Sequence, residues 1–403
     1  MHPASHDLEA LLSGVAAGIA PSELGELFTA AEDPFVVSLA GGMPALGGLP
    51  WERLADLARD LLLRSGPSVL QYGGARGRGD LRAGVADVVA EQGLAVDPDD
   101  VLVTAGSQQA LDLVARALLD PGDTVLVEAP TYVGALGVLA AQRARIEHVA
   151  LDDDGLRPDA LEEALRRAAR AGRIPKLLYT VPHHQNPAGV TLALERRHAV
   201  LDLAGRYGVL VLEDDPYALL GFSGPPLPSL RSLAPDLVVH TGSLSKTLAP
   251  GFRLGWVLAP EWLRSRLELL AEATVLCPSG LTQAVAAEYL ATTDWRNQVE
   301  RYRDQYRERR DSVLGTLDVE LPEATWTRPG GGFYVWLTLP DGLDATTLAP
   351  AALAAGVAYV PGSAFFADGG GRDQLRLAYC FPPPDRLVEG IRRLGTAVRA
   401  ARR

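Results

Sequence analysis

The chain of 403 residues is 47% hydrophobic and 22% charged, a composition typical of a globular protein with roughly two to three domains. Its formal net charge of −12 argues against nucleic acid as the main partner, and no apolar run is long enough to span a membrane. The two cysteines, Cys277 and Cys380, exclude a disulfide framework and a cysteine-rich zinc site, and the first residues lack a secretory pattern, so we expect a cytoplasmic protein.

Short apolar runs alternate with helical stretches between about residues 80 and 260. Helices are predicted at Leu156–Ala171 and Leu192–Tyr207. The predicted strands are Val101–Thr104, Thr124–Glu128, Leu177–Val181, Val209–Glu213, Leu237–Thr241 and Gly255–Ala259. Continuous apolar strands separated by helices are typical of a parallel sheet covered on both faces, so this part predicts an α/β fold.

The pattern changes in the C-terminal part of the chain. One long helical stretch, from about Leu281 to Leu314, precedes strand-like segments at Phe333–Leu339, Ala358–Val360 and Gln374–Tyr379. This change predicts a second, smaller α+β domain. We therefore expect an N-terminal segment (1–50) that packs with the small domain and with a partner subunit, a large domain (51–290) and a small C-terminal domain (291–403).

Two loops that follow predicted strands carry polar residues with more than one interpretation. The turn at Gly106-Ser107-Gln108 opens a helix, and it suits either an anion at the helix N-terminus or an ordinary turn capped by Ser107. Asp214 and Asp215 stand where α/β folds place ligand groups, although a solvated acidic turn is the simpler interpretation. A metal is not favoured there, because adjacent carboxylates point in different directions and no histidine is spaced to help them.

A third such loop contains His183 and His184, followed by Asn186. Adjacent histidines in an extended segment rarely converge on one zinc ion, so we expect this pair to line a pocket wall or to face solvent. Asn186 precedes a proline, which suits an ordinary turn as well as a binding site.

Lys246 is one of only two lysines in the chain, the other being Lys176, which we expect to be structural or solvated. The spacing Ser243-x-x-Lys246 matches a motif of serine β-lactamases, but the companion motifs S-D-N and K-T-G are absent from the sequence. The alternative hypothesis makes Lys246 an amine that traps a carbonyl group, with hydroxyls and Arg253 holding a phosphate nearby.

Taken together and in order, these motifs resemble the pyridoxal-phosphate aminotransferases of the aspartate aminotransferase superfamily, in the branch of the 2-aminoadipate and kynurenine aminotransferases. The resemblance covers nearly the whole chain. Its motifs are Ser38–Pro44, Leu70-Gln71-Tyr72, Gly106–Gln109, Tyr132, Asn186-Pro-x-Gly189, Asp214-x-x-Tyr217, Ser243-x-Ser245-Lys246 with Arg253, Pro329–Trp336, Pro361–Phe365 and Leu375–Leu377.

The resemblance implies a large cofactor-binding domain around a mostly parallel seven-stranded sheet, a smaller α+β domain, and a ping-pong transfer of an amino group to a 2-oxo acid. It implies that Lys246 forms the Schiff base and moves the proton, while Asp214 keeps the pyridine nitrogen protonated. Further residues are implied to bind the phosphate, the phenolate oxygen or the ring, namely Ser107, Gln108, Tyr132, Asn186, Tyr217, Ser243, Ser245 and Arg253.

The resemblance also implies a homodimer in which Tyr72 reaches the partner's phosphate site. Arg376 is implied to hold the substrate α-carboxylate, since a planar guanidinium suits bidentate recognition, and Asn186 and Gly42 complete the substrate site. No metal is implied.

The sequence departs from the family pattern in its N-terminal part. Relatives that accept acidic substrates often use an arginine there, but this chain has Leu24-Gly25-Glu26 at that point and no arginine or lysine before Arg53. We therefore expect a neutral, aromatic or aliphatic amino donor. An N-terminal DNA-binding domain is not expected, because only about forty residues precede Gly41 and they carry no basic charge. Decarboxylation, oxidative deamination or β-elimination on the same cofactor remain the alternative outcomes.

Overall fold

The computed structural model describes residues 11–18, 33–340 and 342–402. No helix within these ranges is long and apolar enough to cross a membrane. The helices α1 to α13 are, in chain order, Gly14–Gly18, Trp51–Val69, Gly79–Ala90, Ser107–Leu118, Val133–Ala141, Pro158–Arg170, Leu194–Tyr207, Leu230–Leu233, Glu261–Val275, Gly280–Thr292, Trp295–Glu320, Ala345–Ala354 and Pro384–Ala401. The strands β1 to β14 are Val37–Ser38, Val101–Thr104, Thr124–Ala129, Arg145–Asp152, Gly155–Leu156, Leu177–Thr180, Leu210–Asp214, Val238–Ser243, Gly255–Leu258, Thr325–Trp326, Tyr334–Thr338, Val357–Ala358, Val360–Pro361 and Gln374–Ala378.

The large sheet has eight strands in the order β2-β9-β8-β7-β6-β3-β4-β5. Strands β8, β7, β6, β3 and β4 are parallel to one another, and β9 runs antiparallel between β2 and β8. The mostly parallel α/β sheet is therefore confirmed. The eighth strand, β5, is a two-residue antiparallel extension of β4 that adds to the seven strands implied by the family resemblance.

Strand β4 is absent from the strands that the apolar runs predict. Its sequence, Arg145–Asp152, is half charged or polar, and only Val149 of its eight residues is fully buried. A strand near the sheet edge buries one face, so it lacks the continuous apolar run that marks β3, β6 and β8.

Helices cover both faces of the large sheet. One apolar cluster joins α6 and α7 to β6 and β7, while a larger cluster joins α4, α9 and α10 to β2 and β9. The coverage explains why the central strands are apolar on both faces, as predicted for a parallel sheet.

The second sheet has the antiparallel order β10-β11-β14-β13 and belongs to a separate small domain. The N-terminal segment packs with this small domain, because β1 pairs in parallel with β12 in a separate two-stranded sheet. The single long helix expected from Leu281 to Leu314 is wrong: Thr293 is extended (φ −120°, ψ 155°), and the Asp294 side chain caps the next helix by accepting from the Asn297 N–H. The domain limits at residues 50 and 290 stay predictions.

Gly255 lies where β9 passes closest to the turn between β2 and α4. A Cβ atom on Gly255 would lie 2.6 Å from the Ser107 nitrogen and 2.9 Å from the Gly242 carbonyl oxygen. Both neighbours are backbone atoms, so they cannot rotate away. The glycine therefore lets the sheet approach the first turn of α4.

We expect Gly255→Ala to lower the free energy of unfolding by about 1–3 kcal/mol through overpacking, and to weaken cofactor binding by displacing the turn before Ser107. Thermal unfolding and cofactor titration measure the two effects. Gly137→Ala is the matched control, because no heavy atom lies within 4 Å of a Cβ placed on that glycine in α5. Equal behaviour of the two variants would contradict the close approach.

Candidate active site

A cavity of about 330 Å³ opens at the carboxyl ends of the parallel strands. Segments that follow β2, β3, β6, β7 and β8 meet there with a segment from the N-terminal part and with residues of the small sheet. The lining residues are Gly42, Met43, Pro44, Ser107, Gln108, Tyr132, Val133, Val181, Asn186, Asp214, Pro216, Tyr217, Ser243, Ser245, Lys246, Pro250, Arg253, Tyr334 and Arg376.

All but one of the residues implied by the family resemblance line this cavity. The exception is Tyr72, whose side chain is 78% exposed on the surface of the single chain. Residues separated by hundreds of positions in sequence therefore meet in one cavity. The order of the motifs along the chain does not by itself establish this proximity.

One part of the cavity combines a helix N-terminus with hydroxyls and a guanidinium. Gly106 has φ +87° and precedes α4, so Ser107 is the first helical residue rather than the N-cap that the ordinary-turn interpretation makes it. A Cβ on Gly106 would lie 2.3 Å from Arg253 Nη2, so the glycine lets Arg253 approach the turn. Ser243 Oγ lies 2.7 Å from Ser245 Oγ beside them. Such a donor set suits a phosphate group.

Asp214 is the last residue of β7 and is almost fully buried. Its carboxylate accepts hydrogen bonds from Tyr179 Oη at 2.8 Å and from Thr241 Oγ1 at 3.2 Å. Burial raises the pKa of Asp214 to about 6, and these two donors work against that rise. A cationic group next to Asp214 stabilises its charged form.

Lys246 follows β8, and its ammonium group donates to the Gly42 carbonyl oxygen at 2.9 Å. Burial of this amine in the cavity lowers its pKa to about 8, and the nearby Arg376 and Arg253 act in the same direction. An ammonium group that loses its proton near pH 8 yields a free amine, which is suited to act as a nucleophile and as a base.

Arg376 reaches the cavity from β14 and is 4% exposed. Its Nη1 donates to Asn186 Oδ1 at 2.9 Å and its Nη2 donates to the Ala40 carbonyl oxygen at 2.6 Å. The guanidinium lies 4.3 Å from the Tyr334 ring centre and 5.0 Å from that of Phe365. Its Nε is buried without a partner among the described residues, so the group retains capacity for an anionic ligand.

Two tyrosines of this site were not assigned from the sequence. Tyr334 lines the cavity, accepts from Tyr217 Oη at 3.3 Å, and lies so near Gly42 that a Cβ there would be 1.9 Å from the Tyr334 hydroxyl. It lies within the family motif Pro329–Trp336, which could have suggested it. Tyr179, the partner of Asp214, lies inside an apolar strand and gives no sequence signal beyond that of a core residue.

The two histidines differ from their prediction. His183 and His184 are buried, and neither lines the cavity or faces solvent. His183 bonds Asp215 through Nδ1 at 2.9 Å, whereas His184 packs under Gly331, where an added Cβ would lie 2.4 Å from its ring. Asp215 is likewise buried, so the solvated acidic turn is wrong.

A histidine does stand beside the carboxylates, contrary to the expectation from spacing. Glu213, Asp215 and His240 place ligand atoms within 4.8 Å of one another on the buried face of β7 away from the cavity. Glu213 already accepts hydrogen bonds from His240 Nδ1, the Ser229 hydroxyl and the Leu230 and Arg231 N–H groups. Four protein donors therefore already hold the Glu213 carboxylate, and we interpret the group as a buried hydrogen-bonded network.

Comparison with known proteins places the chain in a family. Residues 36–394 match the family of class I and II aminotransferases. The chain is 37% identical to aromatic-amino-acid aminotransferase 1 of Thermococcus litoralis over 98% of this chain and 95% of that protein.

Two solved structures share the fold over nearly their whole lengths. Kynurenine aminotransferase of Pyrococcus horikoshii, in complex with PMP, has a TM-score of 0.94 at 37% identity, with 99% of each chain covered. LysN, the alpha-aminoadipate aminotransferase of Thermus thermophilus, complexed with N-(5'-phosphopyridoxyl)-L-leucine, has a TM-score of 0.90 at 38% identity, with 97% of this chain and 98% of that chain covered.

These relatives do not favour decarboxylation, oxidative deamination or β-elimination as the reaction. With the phosphate-type donors, the buried carboxylate and the lysine in one cavity, the conclusion is that the chain belongs to the class I and II aminotransferase family and is a pyridoxal-phosphate-dependent aminotransferase.

Proposed function

We propose that this cavity holds pyridoxal phosphate and transfers the amino group of a neutral L-amino acid to a 2-oxo acid. The observation that carries the proposal is the convergence of Lys246, Asp214 and Arg376 on one cavity with a phosphate-type donor set. The residues fit the cofactor. Its phosphate is held by the first turn of α4 together with Ser107, Gln108, Ser243, Ser245 and Arg253.

Each remaining residue acts at a defined atom. When bound, the cofactor supplies an aldehyde that accepts the amino group and a ring that withdraws electrons from the substrate Cα. Asp214 holds a proton on the ring nitrogen, and Tyr179 and Thr241 orient its carboxylate. Lys246 Nζ removes the Cα proton and returns it.

Three further side chains position the ring. Tyr132 stacks on it, and burial raises the pKa of Tyr132 to about 12, which keeps its hydroxyl protonated. Tyr217 and Asn186 donate to the phenolate oxygen. The hydroxyl hydrogen of Tyr217 turns from Tyr334 to the ring, and Tyr334 then donates to Tyr217. The Asn186 Oδ1 is already bonded to Arg376, so its amide N–H₂ is the group that turns to the ring.

Arg376 holds the substrate α-carboxylate next to Gly42. Its two Nη atoms are fixed by Asn186 and Ala40, and its Nε has no partner among the described residues. The Tyr334 and Phe365 rings on the guanidinium limit its movement. A carboxylate placed there meets a preoriented cation.

A neutral substrate side chain fits the rest of the cavity. Among residues 11–18, 33–340 and 342–402, three cationic side chains line it, and each has a role at the phosphate, the base or the α-carboxylate: Arg253, Lys246 and Arg376. The other walls include Met43, Pro44, Val133, Pro250 and Tyr334. Leu24-Gly25-Glu26, on which the same expectation was based, lies outside the described residues.

We also propose a homodimer, with Tyr72 reaching the partner's phosphate site. Tyr72 is 78% exposed, and the chain that precedes it also exposes Leu63 at 77% and Leu70 at 67%. The Gly73 N–H donates to Cys277 Sγ at 3.4 Å, which joins this surface to the exposed Leu276. Exposed apolar side chains of this kind are typical of an interface with a partner. A cytoplasmic location stays a prediction from the sequence.

The two lysines allow a direct test of Lys246 as the nucleophile. In cofactor-free enzyme, we expect acylation of Lys246 to reach half its maximum near pH 8, because burial lowers its pKa to about 8 and only the free amine reacts. Lys176 should react half-maximally above pH 10.5, because Asp123 raises its pKa above that ordinary value. Mass spectrometry after brief acetic anhydride treatment gives both curves. Coinciding curves would contradict the assignment, and Asp123→Asn should move the Lys176 curve alone.

Subunit mixing tests Lys246 and Tyr72 together. Lys246→Ala should abolish turnover, and Tyr72→Phe should weaken cofactor affinity about tenfold, as expected for loss of one hydrogen bond to a charged group. Coexpressed, the two variants should form mixed dimers in which Lys246 of one subunit works with Tyr72 of the other. Turnover at limiting cofactor should then exceed the sum of the parents.

The control for mixing is Tyr207→Phe coexpressed with Lys246→Ala, because Tyr207 lies at the end of α7 and does not line the cavity. This mixture should give turnover in proportion to its intact subunits, with normal cofactor affinity. If the Tyr72 mixture shows no gain over its parents, Tyr72 does not reach across.

The substrate proposal predicts a preference between two donors of equal chain length. We expect kcat/KM for 2-aminohexanoate to exceed that for 2-aminoadipate by about tenfold or more, because an unpaired buried carboxylate is costly while buried apolar area contributes roughly 25 cal/mol per Å². The acceptor oxo acid is held fixed. Glutamate serves as a slower co-substrate only if an arginine from elsewhere, such as the partner chain, reaches the pocket. A preference for 2-aminoadipate would show that a cation outside residues 1–52 reaches the pocket.

A further inference from the structure

His148 lies on β4, outside the cavity, and joins the large sheet to a loop of the small domain. Its Nδ1 lies 2.9 Å from the Glu128 carbonyl oxygen at the end of β3. Its Nε2 lies 2.9 Å from the backbone nitrogen of Ala367, in the small domain. The Phe366 ring packs on the imidazole at a centre-to-centre distance of 5.4 Å.

The two bonds fix the protonation state of the ring. A carbonyl oxygen can only accept, so Nδ1 carries a hydrogen; the Ala367 N–H can only donate, so Nε2 carries none. The contact therefore requires the neutral imidazole with its proton on Nδ1. A protonated His148 would set an N–H against the N–H of Ala367.

The segment that His148 binds continues directly to the proposed substrate site. The Phe365 carbonyl oxygen accepts from the Thr131 N–H at 3.0 Å, and the Phe365 ring lies 5.0 Å from the Arg376 guanidinium. Phe365 also meets Trp336 edge-on at 5.4 Å. Phe365 is therefore the residue that links the segment held by His148 to the Arg376 guanidinium.

We propose that His148 is a positioning residue that, while its imidazole is neutral, holds residues 365–367 of the small domain against β3 and thereby keeps Arg376 oriented for the amino-acid carboxylate. The inference rests on the role of Arg376 in the proposed function. A protonated imidazole has no lone pair to accept from the Ala367 N–H, so protonation of His148 breaks this contact.

Other charged residues lie on β4 and on the elements packed against the ring. They are Glu128 on β3, Asp368 on the covering loop and, on β4 itself, Arg145, Glu147 and Asp152. Glu128 accepts from Thr180 and Asp152 pairs with Arg196, while Asp368 accepts from the N–H two residues further on. Burial raises the pKa of Glu128 to about 7, so a test must separate Glu128 from His148.

Two variants of His148 and one control variant distinguish the effect of His148 from that of Glu128. His148→Leu removes the acceptor for the Ala367 N–H, and His148→Gln keeps an acceptor whose charge does not depend on pH. His198→Gln is the control, because His198 is an exposed histidine on α7. KM and kcat for a neutral amino acid are measured from pH 8 to pH 5.5 in the holoenzyme.

At pH 8 we expect His148→Leu to raise KM about three- to tenfold with little change in kcat, the size expected for one hydrogen bond. The ratio of its KM to that of the parent should fall as the pH is lowered to 5.5, because protonation of the ring removes the same contact from the parent. His148→Gln should stay close to the parent at pH 8 and have the lower KM at pH 5.5.

Hydrogen–deuterium exchange of residues 362–371, corrected for the intrinsic rate, gives a readout independent of turnover. Exchange should be faster in His148→Leu than in the parent at pH 8 and equal at pH 5.5. A KM increase that is the same at both pH values, or no increase at all, would overturn the inference. So would a His148→Gln variant that keeps the parent's pH dependence, which would identify Glu128 or another group.

Arg376→Gln separates this inference from the proposed function. If that variant leaves KM unchanged, the role of Arg376 is wrong and the proposed function fails with it. If Arg376→Gln raises KM strongly while both His148 variants match the parent, the inference about His148 alone fails.

Discussion

The buried guanidinium of Arg376 is the constraint on which the rest of the site depends. It extends from the small sheet and donates to Asn186 in the large domain and to Ala40 in the N-terminal segment. Burying a charge without partners is costly, so the native state requires all three segments in place. The docking of the small sheet is thus coupled to the formation of the substrate site, and the Phe365 and Tyr334 rings complete the enclosure.

Desolvation is the common cause of the unusual acid–base properties in the cavity. It raises the pKa of Asp214 to about 6 and lowers that of Lys246 to about 8, so each group is brought closer to its neutral form near pH 7. The hydrogen bonds from Tyr179 and Thr241 favour the carboxylate of Asp214 against this effect. A lysine that easily loses its proton and a carboxylate that needs a cationic neighbour are the properties that amino-group transfer requires.

Alternation along β7 explains why one of three consecutive carboxylates serves the cavity. Side chains of a strand point to opposite faces in turn, so Glu213 and Asp215 lie on the face opposite Asp214. There Glu213 binds Ser229 and His240, and Asp215 binds His183. These buried bonds hold the strand end, and they keep two further negative charges away from the cavity.

The sequence by itself determined the α/β class, the strands with continuous apolar runs, and the family, because apolar periodicity and ordered motifs are local properties of the chain. It also reduced the catalytic amine to Lys176 or Lys246, since no other lysine exists. Three features became evident only from the tertiary structure. They are the half-buried strand β4, the break between two helices before Asp294, and the orientation of His183 and His184 away from the cavity. The tertiary structure alone paired Tyr179 with Asp214 and placed Tyr334 beside Gly42, because the direction of a side chain depends on strand pairing and on contacts across more than a hundred residues.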